Sequence, residues 1–222
     1  GDTEYIDRTT ITASEFWAKC AASPTLPETA APSPGQFEET FRSLAADGAT
    51  AIVVVSLSSS LSATMQSAEL AARSVSPAID VRVVDSRNAS MGLGLIVLEC
   101  AELAKTGASV DAVLAHAQSV IPRIRVFAAL DTLDNLKKGG RIGGAKAMLA
   151  TVMSIKPLIS VTDGLVEEAG KQRTRSKALA HLIEILRSQE VPIERLSVLN
   201  AQCSDVDAFI TMVKDVYNKE II

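Results

Sequence analysis

The stretch that most constrains the fold runs from residue 50 to residue 57: an unbroken apolar, β-branched run with no polar alternation. A strand of that composition is covered on both faces, as in parallel sheets. A hydroxyl-rich turn follows at residues 56–64, then an alanine-rich helix reaching Arg73. The pattern then repeats. A second apolar strand at residues 79–84 ends at Asp85-Ser86, and an apolar helix over 92–105 stops at Gly107. A further helix is predicted over 110–120. Strand, helix, strand, helix is the order of a right-handed parallel α/β unit.

Upstream, residues 1–12 are polar and irregular. A short helix carrying Phe16 and Trp17 follows, capped at Thr12 or Ser14. Pro24, Pro27, Pro32 and Pro34 make residues 21–35 a loop. Helix resumes after Pro34, with Phe37, Phe41, Leu44 and Ala45 on one face and Gly48 as its stop. From about residue 123 the pattern restarts, with a strand at 126–130 and a helical turn at 132–138 broken by Gly139-Gly140. Residues 145–154 read as a helix presenting Met148, Leu149, Val152 and Met153. Strands at 158–161 and 165–168 flank Thr162-Asp163-Gly164, a hairpin signal. An amphipathic helix over 176–187, a strand at 196–199, a helix over 205–217 and a strand beginning at 220 complete the reading. The expectation is an α/β chain of two domains. Residues 1–122 would carry a parallel Rossmann-like sheet, and residues 123–222 a mixed sheet with helices.

Composition narrows the function. A net charge of −4 opposes an electrostatic nucleic-acid binder, and 4% aromatics oppose a base-stacking surface. No apolar run approaches the ~20 residues of a membrane span, and the polar start carries no secretory signal. Cys20, Cys100 and Cys203 are odd in number and far apart. They read as small core residues of a cytoplasmic protein, without a redox or metal pair. His116 and His181 fall on the sides of helices away from the apolar stripes and read as surface residues. Metal-ligand spacing, a nucleophile elbow, a phosphate-binding P-loop and a dinucleotide fingerprint are all missing from the sequence.

Three features carry chemistry. Ser56, Ser58, Ser59, Ser60, Ser62 and Thr64 crowd the carboxyl end of the first buried strand, the edge at which open α/β sheets bind ligands. One of these serines would cap the next helix. The rest suit a carboxylate or phosphate at the helix's positive end. Leu136-Lys137-Lys138-Gly139-Gly140-Arg141-Ile142 reads as a tight turn, either simply solvated or holding an anion or an interface. Gly170-Lys171-Gln172-Arg173-Thr174-Arg175 reads as an exposed helix entrance or a docking patch for an acidic partner.

In order and spacing these segments resemble the DegV family of bacterial fatty-acid-binding proteins. Thr29 through Gly35 resembles its T-S-Q-P-S loop, and Leu57 through Thr64 its L-S-S-x-L-S-G-T turn. Asp131-Thr132-Leu133 through Ile142 resembles D-T-L-x-x-L-x-K-G-G-R-I. Ile155-Lys156-Pro157, Asp163-Gly164 and Lys171-x-Arg173-Thr174 complete the match. The resemblance implies two α/β domains with a long-chain fatty acid between them as ligand, and no cofactor or metal. It also implies a carrier rather than an enzyme, presenting the acyl carboxyl to a separate fatty acid kinase for acyl phosphate formation. By position, Thr29, Ser58, Ser59 and Ser62 would hold the carboxyl. Arg141, Lys171 and Arg173 would contact the head group, a partner or the other domain. Ala30, Ala31 and Ala63 depart from the pattern, and the family's opening D-S-T/S strand and closing glycine-rich, histidine-containing segment are not in the 222 residues. A phosphotransferase subunit binding a small hydroxylated substrate, or a sensor of a small anion, are the competing readings.

Overall fold

The structure is a computed structural model and describes residues 3–150 and 155–222. They form two compact units. Residues 30–182 make the larger, and residues 1–29 with 183–222 the smaller. The boundary expected at residue 123 falls inside the larger unit.

Two helices open the chain. α1 (Ala13–Ala22) starts with a capping box in which Thr12 and Glu15 satisfy each other's backbone N–H groups. α2 (Pro34–Ala46) has the same device from Ser33 and Gln36, with Pro34 in its first turn. α2 ends at Gly48, whose φ of +97° lets Gly48 N–H donate to Ala45 O and Ala49 N–H to Leu44 O.

β1 (Ile52–Ser56), α3 (Thr64–Val75), β2 (Val81–Asp85), α4 (Ser90–Lys105) and α5 (Val110–Val120) form the expected α/β layers. β1 and β2 pair in parallel, with Ile52 opposite Val81 and Ser56 opposite Asp85. Val53 and Val55 pack with Val84, Ile96, Cys100, Val113 and Ala117 on the α4–α5 side. Ile52 and Val54 pack with Phe41, Ala71 and Val75 on the α2–α3 side. Both faces are covered, so the strand needs no polar alternation.

A three-stranded sheet follows: β3 (Val126–Ala129), β4 (Lys156–Thr162) and β5 (Leu165–Gln172), with the short α6 (Asp134–Lys138) between β3 and β4. Both pairings are antiparallel where a mixed sheet is expected. A two-residue turn suffices to connect β4 to β5, and Asp163 (φ +51°) and Gly164 (φ +83°) supply the positive φ angles of a hairpin turn. β5 runs four residues beyond the expected strand, past a bulge opposite Leu158 and Ile159. Residues 143–150 are 3-10 rather than α-helical. Here Gly143 lies against the backbone of Val166, with no room for a side chain, and Gly144 lies beside the carboxylate of Glu167. Val152 and Met153 lie outside the described residues. Met148 packs with Leu133, Ala145, Ile159 and Val166, and Leu61 joins that cluster.

α7 (Arg175–Arg187) leads into the smaller unit, where α8 (Val206–Lys214) follows. Ile183, Val213 and Tyr217 form that unit's core. The strands expected at 196–199 and 220–222 reduce to one parallel bridge between Leu196 and Ile221.

Candidate functional site

The serine turn joins β1 to α3, and four segments of the larger unit meet on it. The first is the turn itself. Leu61 N–H and Ser62 N–H both donate to Ser58 O, at 3.0 and 3.2 Å. Ser62 Oγ accepts Thr64 N–H at 3.2 Å and lies 2.8 Å from Thr64 Oγ1. No serine takes the expected N-cap position of α3. Ala63 stands there without a side-chain bond, and Ser62 serves the first-turn N–H from one residue further out.

The second segment is the loop after β2. Ser59 Oγ donates to Asp85 Oδ2 at 2.6 Å, and Asp85 also accepts from the N–H groups of Ser59 and Arg87. Ser58 N–H donates to Asn88 O at 2.8 Å. Asn88 is buried and donates through Nδ2 to Ser86 O, while its Oδ1 has no hydrogen-bond partner. Gly92 leaves room for that oxygen, since a methyl group on Gly92 would stand 2.9 Å from it and would overlap Val126. Asp85 and Asn88 are site residues that motif reading missed. Their signal was available, because loops after adjacent parallel strands meet at the same sheet edge.

The third segment is the β4–β5 tip. Ser58 is 0% exposed, and its Oγ donates to Gly164 O at 2.7 Å. Arg87 reaches Asp163 at 3.5 Å. The fourth is the lysine–glycine–glycine–arginine loop after α6. Gly140, at φ +74°, ends that helix with Arg141 N–H donating to Leu136 O. The Arg141 side chain then donates from Nε to Leu61 O at 3.1 Å and from Nη1 to Gly139 O at 2.6 Å. Both acceptors are neutral carbonyls, and the exposed Arg141 forms no ion pair among the described residues.

Of the expected site residues, Ser58, Ser59, Ser62 and Arg141 are thus gathered in one place. Lys171 and Arg173 are exposed. Lys171 pairs with Pro157 at the far end of β5 from Gly164, seven residues or about 23 Å along the strand. Thr29 is exposed in the loop between α1 and α2 and belongs to the smaller unit. Both histidines are less exposed than expected. Both are half-buried, and His116 Nε2 lies 3.3 Å from Glu99 Oε2. Among the described residues no group of His, Cys, Asp and Glu is arranged to hold a metal ion, and no helix is long and apolar enough to cross a membrane.

What this geometry defines is an α/β protein that gathers four segments around a hydroxyl-rich turn at the carboxyl edge of a parallel strand pair. The model of the DegV family, described as an uncharacterised protein family, matches residues 1–222, and the chain belongs to that family. A DegV domain-containing protein of Mycobacterium bovis is 44% identical over 143 residues, 64% of this chain and 50% of the relative. One from Listeria monocytogenes is 31% identical over 214 residues, 96% of this chain and 76% of the relative. The chain thus spans about half the length of the mycobacterial relatives it matches. Among solved structures, a fatty-acid-binding DegV family protein from Thermus thermophilus has a TM-score of 0.81 at 35% identity, covering 94% of this chain and 75% of that one. DegV from Bacillus subtilis, a fatty acid binding protein, has a TM-score of 0.84 at 26% identity, covering 97% and 77%. A DegV family protein from Ruminococcus gnavus, refined with vaccenic acid, has a TM-score of 0.85 at 25% identity, covering 100% and 81%.

Proposed function

We propose that this protein binds a long-chain fatty acid in a buried tunnel and presents the carboxyl group to a separate ATP-dependent fatty acid kinase. The observation that carries this reading is Arg141, whose Nε donates to the carbonyl of Leu61, the residue before Ser62 and its hydroxyl pair with Thr64. Two hydroxyls sharing one bond leave one O–H proton over, and oxygen lone pairs besides. A carboxylate can accept that proton and the guanidinium's field, and a carboxylic acid can also donate back. Either form avoids the large cost of burying an unpartnered acid group. Ser58 and Ser59 already donate to Gly164 and Asp85, so in this reading they shape the corner and Ser62 leads the contact. Thr29 is the remaining hydroxyl proposed for the carboxyl.

Burial of the tail supplies the affinity. At ~0.8 kcal/mol per methylene, an acyl chain of ~14 methylenes gains about 11 kcal/mol before ordering costs. The relatives solved as fatty acid binders support the ligand class. The chain itself performs no turnover in this reading. The partner's ATP donates its terminal phosphoryl group, a carboxylate oxygen forms the new bond to phosphorus, the bond to the β-phosphate oxygen breaks, and ADP leaves. Lys171 and Arg173, exposed and away from the serine turn, suit a cytoplasmic acidic partner rather than the head group.

The test is organic extraction of the purified protein followed by mass spectrometry. One long-chain fatty acid per chain is expected, and Ser62→Ala should bind at least about tenfold more weakly, as befits the loss of a hydrogen bond to an acid group at about 1.5–3 kcal/mol. An extract without stoichiometric fatty acid, together with calorimetric binding of dihydroxyacetone, would replace this reading with the phosphotransferase one.

A further inference from the structure

The tip of the β4–β5 hairpin lies more than a hundred residues from the serine turn in sequence, and none of the site's motifs announces a contact between them. Yet Gly164 is buried against Ser58. The Ser58 hydroxyl gives its only proton to Gly164 O at 2.7 Å and accepts Ser60 N–H at 3.2 Å. The carbonyl of the same Ser58 receives Ser62 N–H at 3.2 Å. A line of bonds therefore runs from the hairpin tip through Ser58 to the residue proposed to meet the carboxyl. Gly164 has no side chain for two reasons. Its φ is +83°, and a methyl group there would stand 2.6 Å from Ser58 Oγ and 3.6 Å from Arg87 Cβ. Arg87 and Asp163 add an ion pair at 3.5 Å, but both side chains are largely exposed, so the buried hydroxyl–carbonyl bond dominates.

We propose that Gly164 is a positioning residue of the carboxyl site, its carbonyl fixing Ser58 and through it the backbone that presents Ser62. The inference rests on the fatty-acid reading given above. Gly107 provides a matched control. Its φ is +82°, the same within a degree, and nothing lies within 4 Å of where its methyl group would be. Alanine at either position must adopt a positive φ, and only at Gly164 does it also strike Ser58.

The experiment compares wild type, Gly164→Ala and Gly107→Ala, each stripped of lipid. Palmitic acid affinity is read by displacement of a fluorescent fatty acid, alongside the thermal midpoint. Gly164→Ala is expected to raise Kd about tenfold, while Gly107→Ala loses stability and keeps its Kd within about twofold. Equal Kd for Gly164→Ala and wild type overturns the inference, as does an equal loss in Gly107→Ala. Should Gly164→Ala not fold, Ser58→Ala removes the hydroxyl that donates to Gly164 O and so breaks the same bond from the other side. A two- to fivefold rise in Kd then supports the proposal, and unchanged affinity overturns it. A wild type that takes up no palmitic acid sinks the fatty-acid reading itself.

Discussion

At the scale of single residues, the turn's chemistry was legible and its partners were not. Six hydroxyls in nine residues announce a polar site wherever the chain folds. Which of them stay available depends on Asp85, Asn88 and Gly164, brought in from 26 to 106 residues away by the sheet edge and the hairpin. The histidines are more covered than expected for the same reason, since facing away from a helix's own apolar stripe does not prevent a neighbouring element from covering part of the side chain. Cys100 shows the opposite case, a residue whose reading as a core thiol stands. Burial, and then the charge of Glu99, push its thiol up from the ordinary cysteine value. Less thiolate is therefore present at neutral pH. Iodoacetamide on the native protein should alkylate the half-buried Cys20 and Cys203 well before Cys100, as read by peptide mass spectrometry, and equal rates at all three would contradict this account.

Among elements, those with strong local signals fell where the sequence put them. α5 begins and ends at the expected residues, and the Asp163-Gly164 turn needed only two residues tolerant of positive φ. The 3-10 segment at 143–150 was missed because its cause is tertiary, the close approach of Gly143 and Gly144 to β5. The strand expected at 196–199 pairs through a single bridge, since the short apolar run had no partner its own pattern could specify. The capping box of α1 gives a pH prediction. The backbone N–H of Thr12, and then its hydroxyl, hold the Glu15 carboxyl below the ordinary carboxylate value. The folded form thus binds its proton less readily than the unfolded one. The support is present above the unfolded value and is lost as pH falls through the lowered one. The protection factors of the α1 amides, exchange rates corrected for their intrinsic pH dependence, should hold from pH 7 down to the ordinary carboxylate range and fall below it. Glu15→Gln should remove that inflection, and an unchanged profile would show that the box does not stabilise the helix.

For the whole molecule, ligand and stability are one measurement. A fatty acid that binds only the folded chain adds about 2.7 kcal/mol at a free concentration a hundred times Kd. For a chain of this size each kcal/mol moves the midpoint by roughly 2–4 °C. Delipidated protein should therefore melt about 5–10 °C below protein saturated with palmitic acid, and coincident melting curves would argue that the bound form gains nothing from the ligand. The class of fold was legible at this scale because β1 carries valine and isoleucine on both faces. The division into residues 30–182 and the remainder was not, because it unites the two ends of the chain, which no local pattern foretells. One further consequence concerns the proline-rich stretch around Thr29. Ser23 knots its beginning to Thr25, and the Ser33–Gln36 box secures its end. Residues can therefore be added or removed between those two knots without unravelling a helix, at about 0.6 kcal/mol per doubling of length, so an insertion there should displace Thr29 while leaving α1 and α2 folded.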